Sequence, residues 1–279
     1  MENKNCGINH MFISSILLYC GYQMDKNINY KTILNNSIVS KYLKNKVNKK
    51  IIKYINANCN FTYKVIYLRN NADAECMICY NEIDCYLVFI GTQMSLNDKM
   101  SLCKDLWTDI CLGLKSIDFL NSKIKIHSKY IDNMKCDNLL DKIEKNICKL
   151  KFNKINICGH SMGCGLGLYT SLVLTHKFTD KHCNLITLDS PKIGNSKLNT
   201  YIKKIKNLTQ IDLINNKDIF ALFPFIYPEY SHISNKTYIT NKKGNINICK
   251  NPNELNIFTN HSITDHFTTN IITNIYKCI

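Results

Sequence analysis

The chain has 279 residues, 45% of them hydrophobic, enough for one large α/β domain with a substantial core. Its formal charge of +15 is carried almost wholly by lysine, with Arg69 the single arginine; recognition of bases and phosphates leans on guanidinium forks, so nucleic acid is disfavoured as a partner. An anionic lipid surface suits a lysine-borne charge better, at about 1 kcal/mol for each nearby Lys, although the Asn-, Ile- and Lys-rich bias runs evenly along the chain, as an AT-rich genome would produce.

The first apolar stretch, Met11 to Cys20, reads as a buried helix. It is too short to span a membrane. As a signal-peptide core within residues 1–22 it is poorly flanked. Only Lys4 precedes it, balanced by Glu2, and no small-x-small site follows. An intracellular location is therefore favoured, with secretion the alternative if residues 1–22 are a signal peptide. Polar, Lys-rich segments continue to about residue 58. Phe61 to Arg69 alternates loosely. Cys76 to Tyr80 and Ile83 to Ile90 read as a hairpin ending in a buried strand. Cys76-Met-Ile-Cys79 is the one C-x-x-C among fifteen cysteines. Without a second pair it reads as buried thiols rather than a metal site.

Apolar residues at Ile131, Met134, Leu139, Leu140, Ile143 and Ile147 predict a helix over 128–150. Strand and helix then alternate: strand 154–158, helix 162–177, strand 184–188, helix 197–205 and strand 208–213, with a last helix over 263–276. The alternation predicts an α/β fold with a mostly parallel sheet and helices on both faces. No repeat, linker or composition break divides the chain, so residues 1–279 are expected to form a single domain.

Gly159-His160-Ser161-Met162-Gly163 matches G-x-S-x-G between an apolar strand and an apolar helix. A serine pinched in such a turn is presented above the sheet edge at the positive end of a helix. Serine needs a base, and the base an orienting acid, in the chain order Ser, acid, His. Spacing alone leaves Asp189 and Asp218 open as the acid, and His232, His261 and His266 open as the base. A helix N-cap role for Asp218 and a surface helical position for His266 are the plainer readings of those two residues.

Several motifs in order carry a resemblance. They are Phe89-Ile-Gly-Thr92, Asp105-Leu-Trp-Thr-Asp109, Ile126-His127-Ser-Lys-Tyr130, the elbow itself, Leu188-Asp-Ser-Pro-Lys-Ile-Gly194, Asn216 to Pro224, Tyr230-Ser-His232 and Asp265-His266. Over roughly residues 85–270 the chain resembles the class 3, fungal-type lipases. The resemblance implies an α/β-hydrolase fold and a serine hydrolase acting on lipid esters, with triacylglycerol as the reference substrate. It implies a nucleophile at Ser161, an acid at Asp218, a base at His266, and an oxyanion hole at Thr92 and the N–H of Met162. No metal or cofactor is called for. A phospholipase A1-like or other esterase activity is the alternative substrate reading, and a catalytically silent lipid- or protein-interaction module the alternative of another class. Ile90 stands where the family has Arg, Lys129 and Asp189 where it has Gly, and Thr269 where a Tyr is frequent. Residues 93–110, amphipathic with Met94, Leu96, Met100, Leu102, Leu106 and Trp107, stand where related lipases carry a lid. A mobile flap there would suit transient contact with a lipid surface.

Overall fold

Among the described residues, nine stretches of the chain hydrogen-bond into one sheet and two more form a small ribbon. The structure, a computed structural model, describes residues 4–24, 31–91, 113–224, 227–234, 236–254 and 262–279. The sheet strands are β1 (Lys31–Asn35), β2 (Thr62–Arg69), β3 (Glu75–Tyr80), β4 (Cys85–Ile90), β7 (Lys154–His160), β8 (His182–Leu188), β9 (Leu208–Asn215), β10 (Thr237–Thr240) and β11 (Ile246–Cys249); β5 (Leu114–Ser116) and β6 (Lys125–His127) make the ribbon. The spatial order is β1-β2-β3-β4-β7-β8-β9-β10-β11. From β4 through β10 neighbours run parallel, while β1 to β4 and the β10-β11 pair are antiparallel. Parallel strands covered on both faces need apolar residues on both. Ile155, Ile157 and Cys158 of β7 and Leu185, Ile186 and Leu188 of β8 are accordingly buried.

The sheet divides the core in two. One face packs on α1 (Lys4–Gln23), α2 (Asn36–Leu43), α3 (Lys49–Asn58) and α8 (Thr268–Tyr276), and the other on α4 (Ser128–Lys135), α5 (Leu139–Ile147), α6 (Gly163–Lys177) and α7 (Ser196–Ile202). A helix apolar all round must be enclosed; in α1 Met11, Phe12, Ile16, Leu17 and Leu18 are at most 1% exposed. The Met11–Cys20 stretch is thus a core helix, as expected. Cys76 and Cys79 lie three apart on β3 and fall in opposite core clusters, because side chains alternate across a strand. They cannot share a ligand.

Three expectations change. The helix read over 128–150 is two, separated by a turn in which Asp137 (φ 49) and Asn138 (φ 55) are left-handed; a continuous apolar period hides such a break. Residues 31–58, read only as polar, hold β1, α2 and α3, with Asn35 and Asn48 as N-caps. The last helix starts at Thr268, and His266 sits before it in a 3-10 turn over Thr264–His266, fully buried rather than on a helix surface.

Leu17→Ala should cost about 2–5 kcal/mol in denaturant unfolding. Ile83→Ala, at a side chain 83% exposed, should stay within about 0.5 kcal/mol.

Candidate active site

β7 ends at His160 and α6 begins at Gly163, leaving two residues to turn the chain. Ser161 adopts φ 57, a conformation that costs an L-residue roughly 1–2 kcal/mol. Neighbouring glycines make room for it. A Cβ at Gly163 would lie 2.2 Å from the Phe89 carbonyl oxygen, and one at Gly91 2.5 Å from that of His160. The turn therefore nests against the end of β4. The Ser161 N–H donates to the Leu188 carbonyl at 3.1 Å, fixing the turn to β8. Met162, at the mouth of α6, has an N–H with no acceptor among the described residues.

The loop after β9 brings Asp218 to this edge. The Ser262 N–H donates to Lys217 O at 2.9 Å. Asn215 Nδ2 donates to Asp265 O at 2.6 Å and Asn216 Nδ2 to Asp265 Oδ2 at 2.7 Å. These bonds lay the Thr264–His266 turn beside Asp218, and His266 Nδ1 donates to Asp218 Oδ2 at 2.5 Å. Asp218 Oδ1 accepts the Phe220 N–H at 2.9 Å, so its capping role and its bond to His266 coexist on two oxygens. Burial holds the His266 imidazole down at about 3. The ring is neutral, its proton directed to Asp218, which leaves Nε2 as a lone pair. Nε2 has no hydrogen-bond partner among the described residues. Burial also raises the Asp218 carboxyl, an effect opposed by the Phe220 N–H.

His160, inside the elbow, is a structural hub. Gly91 N–H donates to the Tyr22 hydroxyl at 3.0 Å. That hydroxyl is 2.8 Å from His160 Nδ1, and His160 Nε2 is 2.8 Å from the His266 carbonyl oxygen. Since Tyr22 receives a proton from Gly91, it donates its own to Nδ1, and Nε2–H donates to His266 O. Burial pushes the His160 pKa well down, which keeps Nδ1 an acceptor. Nothing in the sequence placed Tyr22 here; it is one more aromatic at the end of an apolar helix.

Asp189 is fully buried with φ 53, and its Oδ1 accepts the Asn215 N–H at 2.5 Å. One ligand atom each from His160, Asp189 and His266 lie within 4.8 Å of one another, a spacing that would admit a metal ion. Both His160 nitrogens and His266 Nδ1 are already hydrogen-bonded within the protein, which accounts for the cluster without one. His232 is 1% exposed, bonds to the Ala221 backbone and is held down at about 3 by burial; it packs. Thr92, His261 and residues 93–110 lie outside the described residues. A pocket opens beside Ser161, walled by Tyr130, Met162, Pro191, Phe220, Phe223 and Pro224.

A family model described as lipase (class 3) matches residues 87–227. A Rhizomucor miehei lipase propeptide complex, a deletion mutant, superposes with a TM-score of 0.69 at 16% identity, covering 98% of this chain and 81% of that one. Lipase II from Rhizopus niveus gives 0.67 at 16% identity, covering 95% and 94%. A triacylglycerol lipase from Penicillium expansum gives 0.63 at 14% identity, covering 90% and 87%. At such identities the likeness is one of fold, here the α/β-hydrolase fold. No curated protein sequence matches the chain.

Tyr22→Phe strands both the Gly91 N–H and His160 Nδ1. A loss of about 1–3 kcal/mol is expected in denaturant unfolding, the cost of unpaired buried polar groups.

Proposed function

The chain belongs to the class 3 lipases, hydrolases of lipid esters, and we propose that its nucleophile is Ser161, its base His266 and its orienting acid Asp218, with an oxyanion hole from the Met162 N–H and Thr92. The observation that carries this reading is the 2.5 Å bond from His266 Nδ1 to Asp218 Oδ2, at the sheet edge where the left-handed Ser161 lines the pocket. Ser161 Oγ bonds to the ester carbonyl carbon as His266 Nε2 takes its proton. Asp218 stabilises the imidazolium that forms. The carbonyl electron pair moves onto oxygen, facing the open Met162 N–H, a preorganised donor for that charge. Collapse expels the alcohol, which takes the proton from His266, and water repeats the sequence to free the acid.

The pocket beside Ser161 supports a fatty acyl chain as the acid half. Its walls are mostly aromatic and aliphatic, with His127 and Lys192 also lining it, and a hydrocarbon chain gains about 0.8 kcal/mol per buried methylene. We read residues 93–110 as a lid whose apolar side chains meet a lipid surface. One domain is the simplest frame for the site, because β4, β7 and β8 contribute side chains to both core clusters.

Ser161→Ala should abolish labelling by a fluorophosphonate and ester hydrolysis together. Asp218→Asn, with geometry kept and the tautomer lost, should lower kcat about 10⁴-fold. Full labelling of the Ser161→Ala protein would refute the assignment. The single tryptophan, Trp107, should change fluorescence on addition of anionic vesicles; an unchanged spectrum would remove the lid contact from the account.

A further inference from the structure

We propose that Asn215, the last residue of β9, is a positioning residue for the base: its side-chain amide fixes the direction in which His266 is delivered to Asp218. The inference rests on the assignment of Asp218 and His266 just given. Asn215 is fully buried and is not among the residues that wall the pocket beside Ser161, so it acts through its neighbours.

Its backbone and its side chain hold different parts of the site. The Asn215 carbonyl accepts the Asp218 N–H at 3.2 Å, and its N–H donates to Asp189 Oδ1 at 2.5 Å. The side chain reaches elsewhere. Nδ2 donates to the Asp265 carbonyl at 2.6 Å, while Oδ1 accepts the Thr240 hydroxyl at 2.7 Å and Asn274 Nδ2 at 2.9 Å. A backbone carbonyl can only accept, so the amide nitrogen must be the end that faces Asp265. The amide therefore stands on β10 and α8 through its oxygen and offers one fixed donor to the turn that carries the base.

That donor sets His266 through its peptide planes. Between planar peptides only φ and ψ are soft. The plane before His266 contains the Asp265 carbonyl, held by Asn215, and the His266 N–H, which donates to Ile263 O at 3.2 Å. The plane after it contains the His266 carbonyl, which accepts from His160 Nε2 at 2.8 Å. With both planes pinned the direction of the side chain is set, and Nδ1 meets Asp218 Oδ2. Asn216 does not duplicate this, because its Nδ2 bonds the Asp265 side chain. Acid and base are thus both referred to one residue, the acid through its main chain and the base through its amide. A misplacement of about 1 Å in such a pair costs about 10²-fold in rate.

Three variants of the full chain test this with p-nitrophenyl butyrate. Asn215→Leu keeps a similar size and loses the donor. Its kcat should fall about 10²-fold with KM little changed, since position 215 does not line the pocket. Thr240→Val removes a bond to the amide oxygen and leaves Nδ2 on Asp265. It should lower the Tm and leave kcat in place. Asn215→Asp supplies a pH profile. A protonated carboxyl has an O–H to give the Asp265 carbonyl, and an ionised one has none. Among the described residues the titratable groups bonded around this junction are the acids Asp189, Asp218 and Asp265, with Lys242 3.9 Å from Asp265 and Lys277 3.4 Å from Asn274 Oδ1. Burial among acids raises a carboxyl there, while His266, held at about 3, stays neutral. The kcat of Asn215→Asp relative to wild type should therefore fall as pH rises from about 5 to about 9. Its relative Tm should fall over the same range, since a carboxyl raised on folding withdraws stability as the unfolded chain ionises.

The proton resonance of His266 Nδ1–H, assigned by its loss in His266→Gln, should persist in Thr240→Val and shift or vanish in Asn215→Leu. If Asn215→Leu does not fold, Asn215→Asp at about pH 5 and about pH 9 carries the same comparison. A wild-type kcat in Asn215→Leu, equal losses of kcat in Asn215→Leu and Thr240→Val, or a pH-independent ratio for Asn215→Asp would overturn the proposal. Fluorophosphonate labelling separates the two readings. A wild-type chain that is never labelled at Ser161 refutes the triad, while the resonance still reports whether Asn215 aims His266.

Discussion

One backbone conformation organises the molecule around it. Ser161 is left-handed at φ 57, and a single strained residue of this kind persists only where its surroundings over-determine it. Here β4 closes on one side through Gly91 and Gly163, β8 grips the Ser161 N–H through Leu188, and α6 begins directly beyond. The glycines are demanded by contact distance. Any Cβ at position 163 would collide with the Phe89 carbonyl. The parallel centre of the sheet exists in the form that delivers this turn, with five strands ending at one edge and a helix leaving from it.

Around that turn the chain builds a polar interior of unusual density. Asp189, Asp212, Asp218, Asp265, His160 and His266 are all at most 4% exposed. Buried polar groups are tolerated when each finds a partner, and the partners come from distant segments: Tyr22 of α1, Asn215 at the end of β9 and Asn216 beyond it, and the backbone of the Thr264–His266 turn. His160 makes the link economical. One imidazole ties α1 and, through Tyr22, the end of β4 at Gly91 to the segment carrying His266.

How much of this the sequence disclosed depends on how local each cause is. The elbow was legible because strand, Gly-flanked serine and helix are contiguous. The choice between Asp189 and Asp218 was not settled by spacing, since it depends on which loop the Thr264–His266 turn docks against; the resemblance, not the pattern, favoured Asp218. The break near Asp137 and Asn138 was invisible because apolar period survives a left-handed turn. β1, α2 and α3 were hidden under lysines and asparagines, whose charge and polarity mask the few buried positions, Leu34, Val39, Leu43, Ile51 and Ile55. Ile90, the departure from the family's arginine, packs with α1 in the core, which a motif comparison alone could only mark as a mismatch.

The contact between α1 and α8 sets an order of assembly. Tyr22 waits on Gly91 and His160, which in turn waits on the carbonyl of His266. On the ribosome, the first helix therefore emerges long before its partners, and the centre closes only after residue 266 has cleared the exit tunnel. Contacts so far apart in sequence fold slowly. An apolar first helix left waiting in the meantime is the segment a holding chaperone would find.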